Sequence, residues 1–451
     1  MKNTNTPSFS QALLLVIILI IIFSGSIIGL GLAPFVPLTL SIIITMIFAK
    51  LRHASWDDIQ DQLLSGIKKA LAPLFLFLLI GMLIALWMGT NVIPTMLWIG
   101  FKIANASFFI PSALLVTAIV GTMVGSAFTT LATVGVALMG VGTAMGFNPA
   151  LVAGAVLSGA IFGDKSSPLS DSTNLASSIS ETDLFAHIKN LMWTTIPALV
   201  VSFIIFTFLG LGHADASTAK LEHLASLLSP TWWTIVPLGL LVGMAWLKIP
   251  AIPTLLINVG VSGAFFMLNH SATTLGDLLL NGFTTTSKND ILQALLNRGG
   301  MMSMMQTVII IMLALGLGGL LTEQKILQAV MAPIAARIKG SAGIITGTVF
   351  TGIAANFMIG EQYLATILPG QLWKDAFDRV GLSRLALGRS LEDSGTVVNY
   401  LVPWGVAGSF AAQTLGVPVH VFLPFVFFAL LSPVFSLISA WTGLGIKKVN
   451  E

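Results

Sequence analysis

Asp164 and Asp171 bracket a short hydroxyl-rich run, Gly163-Asp164-Lys165-Ser166-Ser167-Pro168-Leu169-Ser170-Asp171-Ser172-Thr173-Asn174, directly after an apolar stretch at 149–162. Charges placed beside bilayer-length apolar sequence carry an insertion penalty of roughly 2.5 to 3.5 kcal/mol each, and those kept at that cost are usually functional. Pro168 donates no backbone hydrogen bond and biases Ser167 away from helix, so the preceding helix is expected to break at 165–167. A break at membrane depth bares carbonyls and amides. Lined by Asp164, Ser166, Ser170, Asp171, Ser172, Thr173 and Asn174, it offers hard oxygen ligands suited to a small alkali cation, with Lys165 expected to pair with Asp164 and offset its desolvation.

A second centre, Gly388-Arg389-Ser390-Leu391-Glu392-Asp393-Ser394-Gly395-Thr396, repeats these ingredients, with Arg389 expected to pair with Glu392. Glu361 and Gln362 in Gly360-Glu361-Gln362-Tyr363 add another carboxylate, and the corresponding region of the first half, Gly125-Ser126-Ala127-Phe128-Thr129-Thr130, has the small and hydroxyl residues of a tightly packed hairpin tip. On this reading Asp171 and Asp393 are the central, buried carboxylates. Ser172, Thr173, Asn174, Ser394 and Thr396 supply neutral oxygens around sodium, and Asp164, Lys165, Arg389, Glu392 and Glu361 support them. Burial penalises a charged carboxylate and either a proton or a bound cation relieves the penalty, so the two compete for the same oxygens. Plainer readings exist for single residues: interfacial loop charges for the ion pairs, hydroxyls bonded to their own helix for Thr129, Thr130 and Thr133, and a solvated Glu361.

These centres must be held by membrane helices. The chain of 451 residues is 55% hydrophobic and 9% charged, against about 25% charged in soluble domains. Apolar runs at 11–30, 34–49, 71–87, 191–211, 306–321 and 419–441 approach the length that crosses a bilayer, and an all-α polytopic protein with about ten to fourteen segments, some broken or re-entrant, follows. The run at 11–30 lacks a basic leader and a cleavage site and reads as a retained first helix. Net charge of +3 comes from loop Lys and Arg, with no basic block long enough for nucleic acid. Lys50, Arg52, Lys68, Lys69, Lys447 and Lys448 place their loops, and both termini, in the cytoplasm. With no Cys, thiolate sites are excluded, and the six His show no metal-binding spacing.

The chain also resembles itself. Ser55-Trp56-Asp57-Asp58-Ile59-Gln60-Asp61-Gln62-Leu63-Leu64 has a copy in Ser287-Lys288-Asn289-Asp290-Ile291-Leu292-Gln293-Ala294-Leu295-Leu296. Ala127-Phe128-Thr129-Thr130 finds a weaker match in Asn356-Phe357-Met358-Ile359, and Asp171-Ser172-Thr173 one in Asp393-Ser394-Gly395-Thr396. Two membrane halves, 1–212 and 230–451, joined by an exposed polar linker at 213–229, are expected to form inverted repeats with the ion site at their interface. The stretch at 322–340 suits an amphipathic helix along the interface or an ordinary connecting helix.

At the two centres the sequence resembles the NhaC-type sodium/proton antiporter family of bacteria, within the ion transporter superfamily. The likeness is carried by 163–176 and by Leu391-Glu392-Asp393-Ser394-Gly395-Thr396 with the following Pro403-Trp404, and it extends over essentially the whole chain. It implies a dimeric secondary transporter of the bacterial inner membrane, with a scaffold part and a mobile, elevator-like transport part bearing two helical hairpins. Sodium and protons would be its transported species, with no cofactor. Some relatives couple both ions to exchange of carboxylates such as malate and lactate, and Gly405-Val406-Ala407-Gly408 is apolar where the family often continues with polar residues, which leaves carboxylate exchange as the alternative. An intramembrane aspartyl protease on Asp164 and Asp393 would need Gly-x-Gly-Asp, where Ile161-Phe162-Gly163-Asp164 stands, so no enzyme is expected. Pseudo-symmetry and charged broken helices favour alternating access over a channel.

Overall fold

The computed structural model describes residues 6–30, 32–69, 71–103, 108–211, 218–247 and 249–446. Lys447 and Lys448, and residues 213–217 of the expected linker, lie outside them. Among the described residues every regular element is helical. Five helices are long and apolar enough to cross a membrane, or seven if two sharply bent pairs each count as one span, and six further apolar helices are shorter. This is a multi-pass membrane protein whose backbone is satisfied within helices, as a hydrocarbon solvent requires.

The first half builds its site on five elements. Helix α1 (Phe109–Val124) ends on Gly125, whose φ of 71° is left-handed, and Ser126 then caps a helical run that begins at Ala127–Thr130, widens into a π-type turn at Leu131–Gly135 and continues to Ala144, long and apolar enough to cross a membrane. Helix α2 (Pro149–Ser166) starts at the cap Asn148 with Pro149 pre-set for helix, and ends as expected before Pro168, with Ser167 extended. After the break, Ser170 caps the short helix α3 (Asp171–Ile179), and Asp183 caps the long helix α4 (Leu184–Gly210). Helices α1 and α2 touch backbone to backbone: a Cβ on Gly159 would lie 2.1 Å from the Leu114 carbonyl oxygen, and one on Gly163 would lie 2.6 Å from the Gly121 backbone. Small residues on both helices permit that approach.

The second half repeats the order. Helix α5 (Ser341–Ile359) ends on left-handed Gly360, and the extended Glu361 caps helix α6 (Gln362–Arg379). Helix α7 (Arg384–Leu391) runs on into a widened π-type turn at Glu392–Thr396 and a 3-10 segment at Val397–Leu401. The chain breaks there, resumes as the helix Val406–Leu415, and returns through helix α8 (Phe427–Thr442). The Val406 amide donates to the Gly360 carbonyl at 2.7 Å, tying the second break to its hairpin turn.

Three expectations change. Gly125-Ser126 is matched in position by Gly360-Glu361, so Asn356-Phe357-Met358-Ile359, at the end of α5, is not the counterpart of Ala127-Phe128-Thr129-Thr130, which follows its turn. Asp171 lies after its break and Asp393 before its own, so the two carboxylates are not equivalent positions. The described part of the expected exposed linker begins as a helix, Thr218–Ser226, whose Leu224 and Ala225, with Leu228 just past its end, are packed into the main core. Residues 322–340 form a connecting helix, Ile326–Arg337, which buries Ile326, Ala329 and Val330 in the cluster formed with the N-terminal helix while Lys325 and Arg337 stay exposed.

Candidate functional site

Adjacent residues on a helix point about 100° apart, and the last turn of α2 uses this to send Asp164 and Lys165 different ways. Lys165 turns inward, where its side chain is 1% exposed and its ammonium bonds to Asp393 Oδ1 on the π-type turn. Thr194 of α4 donates to the same oxygen at 3.1 Å, and the Phe428 ring centroid lies 5.6 Å from the ammonium. Thr173 donates to the Lys165 carbonyl at 3.2 Å, anchoring the start of α3 on the end of α2. The widened turn therefore sets Asp393 against a cation from the other half, which accords with π-type turns marking functional sites.

Asp164 faces the other way, within reach of the Ser170 hydroxyl and the Ala127 amide. There it joins Asp171 and Glu361 in lining a cavity of about 800 Å³ whose other polar residues include Thr129, Asn174 and Tyr363. Among the described residues, no Lys, Arg or His lines it. Glu361, expected to support the site with a solvated position as the plainer alternative, is 4% exposed and caps α6, accepting from the Tyr363 amide at 2.9 Å and the Leu364 amide at 2.8 Å. Asp171 was expected to be buried; it is exposed into the cavity together with Asn174, because each sits on the outward face of the first turn of α3.

Several expected partners are reassigned. Lys165 pairs with Asp393 rather than with Asp164. Arg389 donates to the Gly445 carbonyl at 3.0 Å and the Ser439 hydroxyl at 2.8 Å, fastening α7 to the last turn of α8 and the chain after it, rather than pairing with Glu392. Glu392 instead accepts from Thr396 Oγ1 at 2.6 Å, and Ser394 Oγ donates to the Ser390 carbonyl at 2.7 Å, so both hydroxyls serve their own turn. Thr133 likewise bonds back to the Thr129 carbonyl at 2.8 Å. Ser172 shares a hydroxyl contact of 3.0 Å with Ser170, and Asn174 donates to the Pro168 and Ser170 carbonyls at 3.0 and 2.7 Å, closing the first break.

Two asparagines escaped the sequence reading. Asn356 Nδ2 donates to the Ser394 and Gly395 carbonyls at 2.8 and 2.7 Å, satisfying acceptors that the wide turn frees. Asn399 donates to Asn356 Oδ1 at 2.8 Å and accepts from the Ala407 amide at 2.9 Å, bridging the second break. The available signal was an amide side chain inside the apolar run 344–359, which must find polar partners when buried. Asp393 Oδ2, Glu392 Oε1 and the Tyr400 hydroxyl remain buried without a protein partner. No cluster of three or more His, Asp or Glu with metal-holding geometry occurs among the described residues. The arrangement is thus an acidic cavity and, behind it, a buried ion pair, joined by one helical turn.

Comparison with known proteins agrees with a transporter. The chain is 36% identical to the Na(+)/H(+) antiporter NhaC of Alkalihalophilus pseudofirmus over 99% of its length and 98% of that protein. It is 37% identical to the Na(+)/H(+) antiporter NhaC of Bacillus subtilis over 97% of its length and 99% of that protein. It is also 30% identical to the malate-2H(+)/Na(+)-lactate antiporter of Bacillus subtilis, over 98% of its length and 96% of that protein. The sequence pattern of the Na+/H+ antiporter family matches residues 2–173 and 159–444. With a full-length likeness at this identity and a family match over nearly the whole sequence, the chain belongs to the Na+/H+ antiporter family, as an NhaC-type member.

Proposed function

We propose that this protein exchanges sodium for protons by alternating access and performs no enzymatic reaction. The carrying observation is the adjacency of the acid-lined cavity to the Lys165–Asp393 pair. Sodium is attracted by Asp164, Asp171 and Glu361 and meets neutral oxygens from Ser172 and Asn174. Asp393 is already neutralised by an internal cation. A sodium ion settling beside Asp164 adds a second positive charge next to the Lys165 ammonium, in surroundings where uncompensated charge is costly. Release of a proton from the site restores the balance; loss of sodium invites the proton back. A site left with uncompensated carboxylates does not cross the low-dielectric region, which couples the two fluxes. Thr173, Ser394 and Thr396 hold the two breaks in shape around these groups.

We place the protein in the bacterial inner membrane with cytoplasmic termini, following the basic loops, and treat its halves as inverted repeats whose common order includes the turns at Gly125 and Gly360. A homodimer with elevator-like movement follows from the family resemblance. Organic-anion exchange is the second reading, favoured by the cavity volume of about 800 Å³, which lies in the range that holds small organic ligands; the charged residues among its described lining, all acidic, disfavour a carboxylate. The test is reconstitution in vesicles, following internal pH after a sodium pulse and, separately, labelled lactate and malate. Sodium-driven proton movement that is lost in Asp393→Asn supports the exchange; carboxylate uptake with no response to sodium alone overturns it.

A further inference from the structure

Helix α4 carries buried polar side chains that the acidic cavity does not use. His187, Asn190, Thr194 and Thr195 recur at helical spacing, each no more than 5% exposed, and none of them lines the cavity. Both ring nitrogens of His187, Asn190 Oδ1 and Thr195 Oγ1 have no protein partner, and neither does Asp393 Oδ2, while Thr194 donates to Asp393 Oδ1. Stranding such groups costs on the order of 1–3 kcal/mol apiece, and sites rich in unpaired polar atoms are where proteins keep internal water. The backbone of α7 is drawn close to this face: a Cβ on Gly388 would lie 2.7 Å from both His187 Nδ1 and Ser180 Oγ. His187 stands one turn inside the helix from the loop that carries exposed Glu181 and Asp183. The charged groups on the elements packed against α4 are Asp164 and Lys165 on α2, Asp171 on α3, Arg384 and Arg389 on α7, and Glu392 and Asp393 on the π-type turn that Thr194 bonds to; α1 and α8 carry none.

We propose that this face of α4 is a water-bearing proton path, running from the loop at 180–183 past His187 and Asn190 to the Lys165–Asp393 pair, separate from the cavity by which sodium arrives. His187 and the waters pass a proton along hydrogen bonds, taking it at one ring nitrogen and giving it up at the other, so no net chemistry occurs at the ring. The inference rests on the sodium/proton exchange reading, and the test separates the two. In reconstituted vesicles, sodium-driven proton flux and sodium–sodium tracer exchange are measured for wild type, His187→Leu, His187→Gln and Thr195→Val. The expected result is a fall of about tenfold or more in proton flux for His187→Leu, a smaller fall for His187→Gln and Thr195→Val, and tracer exchange with the wild-type KM for sodium in all three. Equal loss of both fluxes, or loss of neither, overturns the path. Should His187→Leu fail to assemble, Thr195→Val, which keeps the volume and removes only the hydroxyl, decides by the same criterion. Wild-type protein that moves sodium but no protons would instead refute the exchange reading itself.

Discussion

Lys165 and Asp393, 228 residues apart, are bonded to each other at the end of one half's broken helix and within the widened turn of the other's. Both are withdrawn from solvent. Breaking such a pair from one side strands a charge, at a cost of about 3–5 kcal/mol, whereas replacing both members by apolar groups is often neutral. Asp393→Leu and Lys165→Met alone are therefore expected to lower the thermal unfolding midpoint in detergent strongly, and the double variant to recover most of the loss. A double variant as unstable as the sum of the singles would deny the pairing.

Asp164 and Asp171 meet the cavity rather than the ion pair. Asp171→Asn is expected to raise the sodium KM several-fold, by about 1 kcal/mol of lost ion attraction at partial exposure, with the maximal rate nearly kept. Asp393→Asn is expected to abolish coupled flux. Rate measurements over a sodium series distinguish the two, and identical behaviour would contradict the two-layer site.

Glu361 caps α6 with both carboxylate oxygens. Removing such a cap costs about 0.5–2 kcal/mol. Glu361→Ala should lower the unfolding midpoint, and Glu361→Asp, a short side chain that also caps well, should restore part of it; equal midpoints for all three would rule out the capping role.

The contact of α1 with α2 has no room for a methyl group at Gly159, 2.1 Å from a carbonyl oxygen, while nothing lies within 4 Å of a Cβ on Gly239. Gly159→Ala is expected to cost several kcal/mol through backbone displacement and to sharply reduce folded yield, where Gly239→Ala leaves it intact. Size-exclusion profiles of the purified variants read this directly.

At the loop following α3, the Lys374 ammonium and then the Arg384 guanidinium hold the Glu181 carboxyl below its ordinary value. A lowered folded value means that the stabilisation is present above the unfolded value, about 4.3, and fades as pH falls through the lower folded one. Wild type and Glu181→Gln should thus differ in unfolding midpoint near neutral pH and converge in acid. High salt should shrink the difference, since Glu181 is exposed.

Composition alone determined that this chain lives in a bilayer, because so few charges leave no soluble alternative. Local sequence also determined where α2 stops, since Pro168 removes a donor and constrains Ser167 whatever surrounds it, and it singled out Asp164, Asp171, Glu361 and Asp393 as misfits in apolar surroundings. Which of them meet was decided by the tertiary structure. Neighbours in sequence such as Asp164 and Lys165 diverge around the helix axis, so proximity along the chain misreads their partners. Asp393 reaches Lys165 only because α7 widens into a π-type turn and α2 stops short beside it. The buried face of α4, with His187 at its outer end, was likewise invisible in a run of apolar and polar letters, since burial belongs to what packs against a helix and not to the helix itself.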